Sequence, residues 1–264
     1  MLGRAKIKER LKAGGVIIGA MLRFPDPSIA EILALAGVDI LTIDNEHYPF
    51  DDETLISIVR VADAHNMACI VRVSDVDSSR IARIMDCGVD GIHLATVDTY
   101  EEARALVDAV KYEPAGRRGF CPITRAASYG LSDMSWKEYA EFANKSSIII
   151  AQIETRKGIE NLDRILSIDE IDIFTSGPSD LAASYGYIGQ NDHPVVQKAV
   201  EEFKMKVKAA GKQLFVKGTT PEELQKLLDE GIKLIGIGSD QQILMEGCKN
   251  LIHAVKTGGK TGDR

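Results

Sequence analysis

The chain has 264 residues, a formal net charge of −7, and positive and negative charges that are mixed along its length. This length suits one large α/β domain or two smaller ones, and the negative charge argues against nucleic acid or an anionic membrane as a partner. The four cysteines lack C-x-x-C spacing and no window approaches 18 apolar residues, so we expect a cytoplasmic protein with reduced thiols that is neither exported nor membrane-spanning.

Short apolar runs rich in β-branched residues recur along the chain, and helical patterns separate most of them. The predicted strands are VIIGAML (16–22), VDILTID (38–44), ACIVRV (68–73), GIHLA (91–95), SIIIAQIE (147–154), IDIFTS (171–176), QLFVK (213–217) and KLIGIG (233–238). Eight such strands alternating with helices favour an α/β fold, a (β/α)₈ TIM barrel, over an open sheet. We expect one domain over residues 1–256 and a flexible C-terminal tail over residues 257–264.

Two segments depart from the simple repeat. Residues 114–146 are rich in Gly, Arg, Ser and aromatic residues, and residues 176–193 read SGPSDLAASYGYIGQNDH. We expect both to follow a strand, at the end of the barrel where active sites are built.

Polar residues stand in or just after four of the predicted strands. By strand parity Arg72 shares a face with Ile70, and both Gln152 and Glu154 share a face with Ile150. Because charged and amide groups are costly inside an apolar layer, we expect them at the open rim formed by the carboxyl ends of the strands. The same rim should receive Asp44, Glu46 and His47 after strand two and Asp180 after strand six.

Glu154 and Asp180 are candidate ligands of a divalent cation. No pair of His or Cys residues accompanies them, and an all-oxygen site suits Mg²⁺, Mn²⁺ or a similar cation completed by water. A 2-oxo acid can fill the open positions, and the metal would stabilise its enolate as a Lewis acid. The alternatives are that Glu154 pairs with an arginine, and that Ser179 or Asp180 only caps a helix, whose N-terminus can also bind a substrate carboxylate.

Arg72 and His47 are the other candidates for chemistry. The planar guanidinium of Arg72 suits a carboxylate or a developing enolate oxygen, although Arg72 can instead form a structural pair, perhaps with Asp86. His47 is the candidate base, because imidazole exchanges protons near neutrality and Asp44 can orient its ring. His93, inside a predicted strand, is more often a packed core histidine than a site residue.

Together these motifs resemble the HpcH/HpaI aldolases, metal-dependent class II pyruvate aldolases that act on 4-hydroxy-2-oxo acids. The resemblance covers residues 14–254 and rests on IDNEH followed by Pro, on VRV, on RRGF (117–120), on QIET (152–155) and on GPSDLAASYG (177–186). It implies a barrel whose last helix is exchanged with a neighbour, in dimers that commonly assemble to hexamers.

The resemblance also implies roles for matching residues. Glu154 and Asp180 would bind Mg²⁺, Mn²⁺ or Co²⁺, and Arg72 would hold pyruvate and its enolate. Gln152 would line the pocket, and the backbone N–H groups of Ser179 and Asp180 would hold the pyruvate carboxylate. His47, supported by Asp44, would act on the 4-hydroxyl, directly or through water, during carbon–carbon cleavage to pyruvate and an aldehyde.

This chain departs from the family pattern around the expected aldehyde pocket. Met21 replaces a frequent aromatic residue, Arg23 follows near the mouth, HLATV replaces a segment that often contains proline, and Phe215–Lys217 replaces a Gly-aliphatic segment. We expect Arg23 and Lys217 to favour an anionic or polyhydroxylated aldehyde.

Three alternatives to this aldolase stay open at the level of sequence. Oxaloacetate decarboxylation would use the same metal site and the same enolate. A Schiff-base aldolase would use Lys217 at the end of strand seven as its nucleophile. A non-catalytic keto-acid binding protein would share the barrel scaffold, since fold alone does not fix function.

Overall fold

The structure, a computed structural model, describes residues 4–131 and 133–257. Eight parallel strands close a barrel in chain order, and the last strand pairs with the first. The strands are β1 (Ile17–Leu22), β2 (Ile40–Asp44), β3 (Ala68–Val73), β4 (Gly91–Leu94), β5 (Ile148–Ile153), β6 (Ile173–Ser176), β7 (Gln213–Lys217) and β8 (Leu234–Ser239). The predicted (β/α)₈ barrel is confirmed, and each predicted strand agrees with the observed one to within two residues at either end.

Twelve helices connect or flank the strands in the described part of the chain. They are α1 (Arg4–Lys12), α2 (Pro27–Leu35), α3 (Asp52–Ala64), α4 (Ser78–Asp86), α5 (Tyr100–Val110), α6 (Trp136–Ser146), α7 (Arg156–Glu160), α8 (Leu162–Leu166), α9 (Pro178–Ser184), α10 (Pro194–Ala209), α11 (Pro221–Asp229) and α12 (Asp240–Lys256). Local sequence sets several of their starts: at α5 and α11, a Thr and the Glu three residues later form a reciprocal capping box.

The apolar side chains form two layers, as strand parity requires. The smaller layer fills the barrel interior with side chains that include Ile70 and Ile150, and the larger layer lies between strands and helices and includes Ile149 and Ile153. The predicted faces of β3 and β5 are therefore confirmed. Arg72, Gln152 and Glu154 continue the interior faces of their strands towards the carboxyl end of the barrel.

Helix α1 closes the amino end of the barrel. Its Ile7 and Leu11 join the interior layer, and its Arg10 places Nη1 2.5 Å from Asp39 Oδ1. Lys8 of the same helix lies 2.8 Å from Asp172 Oδ2. The amino end is thus packed and ion-paired.

The segment 114–146 lies elsewhere than expected. Helix α5 separates it from β4, and it leads through α6 into the amino end of β5. Tyr112, just before it, packs its ring against those of Phe120 and Tyr139, and Trp136 completes this aromatic group. The expectation that the segment follows a strand at the active-site end is therefore wrong, because the helix that reverses the chain direction precedes it.

The other irregular segment, residues 176–193, does begin at the carboxyl end of a strand, since Ser176 is the last residue of β6. Helix α9 lies within it. Among the described residues, no helix is long and apolar enough to cross a membrane. Residues 258–264, most of the predicted tail, lie outside the described part.

Candidate active site

A cavity of about 270 Å³ opens where the carboxyl ends of the strands meet. Its lining draws on strands around the barrel, from Met21 of β1 through Arg72 of β3 and Gln152 of β5 to Lys217 of β7. Gly177 to Asp180, between β6 and the first turn of α9, complete one wall. The cavity lies at the end of the barrel that the sequence predicts.

The carboxylate of Asp44, the last residue of β2, is fully buried between two arginines. Arg72 places Nε 3.1 Å from Asp44 Oδ1 and Nη2 2.7 Å from Asp44 Oδ2, and Arg23 places Nε 3.1 Å from Oδ2. Burial alone raises the pKa of Asp44, but the hydrogen bond and charge of Arg72, with those of its other partners, lower it below the ordinary value. Asp44 therefore remains ionised and fixes the guanidinium of Arg72.

Glu46 is the second carboxylate that positions Arg72. Its Oε2 lies 3.2 Å from Arg72 Nη1 and 3.4 Å from His47 Nε2. Two carboxylates thus hold the fork of Arg72 from two sides. The alternative partner of Arg72, Asp86, pairs instead with Arg118 of the RRGF motif.

The structure corrects the expected pairing of Asp44 with the His47 ring. From His47, Asp44 accepts the backbone N–H, at 3.3 Å, and not the ring. Its carboxylate is turned into the barrel towards the two arginines. The imidazole faces Glu46 instead, and the His47 side chain is 58% exposed. His47 therefore lies at the rim of the cavity, and Glu46 is the carboxylate that orients its ring.

A chain of hydrogen bonds links β4 to the candidate metal ligand Glu154. His93 Nε2 lies 2.8 Å from Gln152 Oε1, the amide nitrogen of Gln152 donates to Glu154 Oε2, and Thr96 Oγ1 donates to Glu154 Oε1 at 2.5 Å. Burial, with the nearby charge of Arg72, lowers the pKa of His93 to about 3. A neutral ring that donates from Nε2 fixes the amide of Gln152, which in turn fixes Glu154.

Glu154 and Asp180 form a weakly compensated pair of carboxylates. Burial raises the pKa of Glu154, and the negative charges of Asp180 and Glu46 raise it further, against the hydrogen bonds of Thr96 and Gln152. A glycine is required at position 177, because a Cβ there would lie 2.5 Å from Glu154 Oε2. Among the described residues no cluster of three or more His, Cys, Asp or Glu side chains is arranged to hold a metal.

Two buried polar atoms around the cavity have no hydrogen-bond partner within the described residues. They are Thr42 Oγ1 and His93 Nδ1, and both residues line the cavity. Buried polar groups normally have partners, and orphaned ones in a cavity indicate a polar ligand. With Arg72 in the same lining, the cavity suits a small polar ligand.

A family model described as HpcH/HpaI aldolase/citrate lyase matches residues 20–247. The chain belongs to the HpcH/HpaI aldolase/citrate lyase family. It is 35% identical over 246 residues to the 2-dehydro-3,6-dideoxy-6-sulfogluconate aldolase of Pseudomonas putida, across 93% of this chain and 95% of the relative. It is 33% identical over 251 residues to the 2-keto-3-deoxy-L-rhamnonate aldolase of Salmonella paratyphi A, across 95% of this chain and 92% of the relative.

The solved structures agree with this assignment. The crystal structure of an HpcH/HpaI aldolase from Desulfitobacterium hafniense superposes with a TM-score of 0.87 at 28% identity, over 95% of this chain and 96% of that chain. The resemblance drawn from the motifs is confirmed. The chain is an enzyme of the class II aldolase family, and its activity is that of a lyase.

Several residues that shape the site of this aldolase escape sequence analysis. Thr96 follows β4 and binds Glu154, yet a lone Thr after a strand carries no signal. Asp240 accepts the backbone N–H groups of Arg23, at 3.1 Å, and of Phe24, at 2.8 Å, and so ties the loop after β1 to the start of α12. The pairing of β4 with β5 brings Thr96 to Glu154, and only the closure of the barrel, which makes β8 a neighbour of β1, brings Asp240 to the loop after β1.

Proposed function

We propose that the enzyme cleaves a 4-hydroxy-2-oxo acid reversibly to pyruvate and an aldehyde. The observation that carries this proposal is the position of Arg72: two carboxylates fix its guanidinium in the cavity that Gln152 and Asp180 also line. Two relatives are named aldolases of a sulfogluconate derivative and of 2-keto-3-deoxy-L-rhamnonate. The substrates in these names support a keto sugar acid as the substrate class.

Glu154 and Asp180 would hold a divalent cation, which we propose to be Mg²⁺, Mn²⁺ or Co²⁺. The donor set fits, because carboxylate oxygens suit these cations and a cation would relieve the repulsion that helps to raise the pKa of Glu154. Members of the family are metal-dependent class II aldolases. A bound cation supplies Lewis-acid stabilisation of negative charge on the keto oxygen of the substrate.

The side chains around the cation site would bind and orient the pyruvate half of the substrate. Arginine has five N–H donors, and the three that face Asp44 and Glu46 leave two for a substrate carboxylate or an enolate oxygen. The backbone N–H groups of Ser179 and Asp180 are proposed to bind the pyruvate carboxylate. Gln152, held by His93, lines the same wall.

His47 is proposed to move the proton of the 4-hydroxyl group during cleavage, directly or through a water molecule. Its exposed position at the rim gives the ring access to solvent, and Glu46 rather than Asp44 orients Nε2. Asp44 would act one step further away, by holding Arg72 and the backbone of the loop. A base at the rim suits a proton that must leave the cavity.

Two measurements test the function. Pyruvate in D₂O should exchange its methyl protons when the enzyme is supplied with Mg²⁺ or Mn²⁺, and exhaustive EDTA treatment or the change Glu154→Ala should abolish both this exchange and aldol cleavage. Activity that survives EDTA and Glu154→Ala would contradict the proposed cation site. Pyruvate formation from oxaloacetate alone, without any aldol product across a panel of aldehydes, would make the enzyme a decarboxylase.

The Schiff-base alternative predicts a different outcome. Borohydride would trap a covalent adduct between pyruvate and Lys217. The structure favours the metal-dependent route, because the Lys217 side chain is exposed, whereas imine-forming lysines are normally desolvated or placed beside another cation. The absence of an adduct under conditions of active turnover would exclude the imine route.

We also propose that the enzyme is a cytoplasmic homo-oligomer that uses α12 as its contact, in a dimer-based assembly such as a hexamer. Asp240 is the only residue of α12 that is buried, whereas Leu244, Leu251 and Val255 are 59%, 72% and 82% exposed. A 17-residue helix with an uncovered apolar face normally packs on another surface. The cysteines of the described residues are free, as expected in a reducing compartment.

Light scattering of the purified chain tests this assembly. The parent should be oligomeric, and Leu251→Glu should shift it towards smaller species, whereas the exposed control Lys249→Gln on the same helix should not. A monomeric parent would contradict the proposal.

A further inference from the structure

We propose that Lys217 selects aldehydes whose far end carries an anion, a carboxylate or a sulfonate, and so determines the acceptor specificity of this enzyme. The inference rests on the proposed aldolase function and names the substrate class of that site. It assigns Lys217 a role in binding, not in bond cleavage.

Lys217 occupies the wall of the cavity formed by the last strands of the barrel. It is the last residue of β7, and its Cα is in register with Gly236 of β8. It lines the cavity together with Asp180 of the neighbouring βα segment and with Ser239 at the end of β8. A long side chain at this point projects from the rim of the barrel, where the part of the substrate beyond the reacting carbons must lie.

The charges in the cavity show which cation is available to a ligand. Arg72 is ion-paired with Asp44 and Glu46, and Arg23 is ion-paired with Asp44 and lies with Cζ 5.5 Å from the centre of the Tyr48 ring. The remaining cation of the lining is Lys217, which has no ion pair with any described residue. Among the described residues of the lining, its charge is therefore the one that no carboxylate neutralises, and it can meet an anionic group at the far end of the substrate.

The nearest acidic group on the adjoining helix does not engage Lys217. The charge of Lys217 contributes to the lowered pKa of Glu223, but the main causes are hydrogen bonds from Thr219, followed by one from Thr220. The Glu223 carboxylate is thus committed to the capping box of α11. No ion pair within 4.0 Å joins it to Lys217 among the described residues.

The ring of Phe215 and the size of the cavity limit the ligand beside this lysine. Phe215, two residues earlier on β7, lines the cavity and packs on the interior apolar layer. Its ring lies against β1 and β8, where a Cβ at Gly19 would be 2.9 Å from its Cζ and a Cβ at Gly236 would be 3.1 Å from its Cε2. Lys217 continues the same face of β7 to the rim of the barrel. A cavity of about 270 Å³ is smaller than the roughly 300–1,000 Å³ typical of sites for drug-sized ligands, and therefore suits a short aldehyde.

The test compares a charged aldehyde with a neutral one of similar length. Aldol addition of pyruvate is measured with succinic semialdehyde, with sulfoacetaldehyde and with butanal, in the metal-loaded parent and in Lys217→Met, which keeps the length and removes the charge. Lys217→Arg restores the charge. Lys226→Met, an exposed lysine of α11 whose side chain is 76% accessible, is the matched control.

We expect Lys217→Met to lower kcat/KM for the two anionic aldehydes by about tenfold or more, the usual scale of a lost charged hydrogen bond, with little change for butanal. Lys217→Arg should recover most of the loss, and Lys226→Met should behave as the parent. Loss with only one of the two anions would identify the head group that Lys217 binds. An equal effect of Lys217→Met on charged and neutral aldehydes, or no effect on either, would overturn the inference.

Deuterium exchange at the pyruvate methyl group, measured without aldehyde, separates this inference from the function on which it rests. Exchange that persists in Lys217→Met, together with an altered acceptor preference, supports a binding role. A parent that shows no exchange contradicts the aldolase proposal itself. Exchange that is lost in both Lys217→Met and Lys217→Arg would instead make Lys217 part of the reaction.

Discussion

The two ends of the barrel use acidic side chains in opposite ways. At the amino end, Asp39, Asp90 and Asp172 stand just before β2, β4 and β6, and each accepts a backbone N–H from the start of the preceding strand, at 2.9, 2.8 and 3.3 Å. At the carboxyl end, Asp44 pairs mainly with the side chains of Arg72 and Arg23, while Glu154 is held by those of Thr96 and Gln152.

The difference explains which end can act on a substrate. A carboxylate that accepts a strand N–H, as these three do, satisfies a backbone donor of the fold, and Asp39 and Asp172 are also ion-paired with Arg10 and Lys8. A carboxylate that binds a guanidinium leaves other N–H groups of the same arginine free to bind a substrate. A carboxylate near a second carboxylate can bind a divalent cation. We therefore expect changes at the amino end to affect stability and changes at the carboxyl end to affect activity.

The largest expected effect is that of Glu154→Gln on activity. We expect kcat/KM to fall about 10³-fold, the scale of several kcal/mol of lost electrostatic stabilisation. The free energy of unfolding should change by less than about 1 kcal/mol, because removal of a buried charge near Asp180 offsets the altered hydrogen bonds. Steady-state kinetics and urea titration of the metal-free protein give both numbers. A large loss of stability with intact activity would reverse the roles assigned to the two ends.

Asp44→Asn should affect both quantities, since Asp44 is a buried ion-pair partner inside the site. It leaves two guanidinium groups with a neutral partner, and breaking a buried ion pair costs roughly 3–5 kcal/mol. Urea titration measures this loss, and kcat/KM should fall with it because Arg72 is no longer fixed. The control Glu160→Gln breaks the exposed Arg156–Glu160 pair and should cost less than about 0.5 kcal/mol.

His93 should make stability depend on pH. Its pKa falls from an ordinary 6.5 to about 3 on folding, mainly through burial, so between these values the unfolded chain binds a proton that the folded chain does not. The free energy of unfolding is therefore not reduced by His93 above pH 6.5. It falls by about 1.4 kcal/mol per pH unit as the pH drops from 6.5 towards 3.

The measurement compares the parent with His93→Gln in EDTA. Between pH 7 and pH 5 the parent should lose about 2 kcal/mol more than the variant. Parallel pH profiles of the free energy of unfolding would show that His93 titrates normally in the folded protein. In that case a neutral His93 ring does not fix the hydrogen-bond chain through Gln152 to Glu154.

The smallest expected effect is that of Asp39→Ala at the amino end. The change removes the acceptor of the Ile18 N–H and the partner of Arg10, and should cost about 1–2 kcal/mol of stability. Pyruvate exchange and aldol cleavage per folded molecule should stay at the parent level. A selective loss of kcat would show that the two ends of the barrel are coupled.

Much of the architecture is predictable from local sequence. The eight strands and the faces of Arg72, Gln152 and Glu154 follow from apolar runs and period-two alternation, which the closed barrel preserves. The motif around Asp44 and the turn before Asp180 likewise predict side chains at the carboxyl ends of strands. The position of the segment 114–146 is not predictable in this way, because composition does not show on which side of a helix a loop emerges.

The sequence by itself determined the fold, the family and the set of polar residues that reach one end of the barrel, because strand order and side-chain parity are local properties. Only the tertiary structure decided the partners: Asp44 with Arg72 and Arg23, Glu46 with the His47 ring, and His93 with Gln152. Pairing depends on distances between side chains brought together by barrel closure, and on which charges remain after others are neutralised. By that physical criterion Arg23 is ion-paired with Asp44, and Lys217 is the cation of the cavity lining that has no ion pair among the described residues.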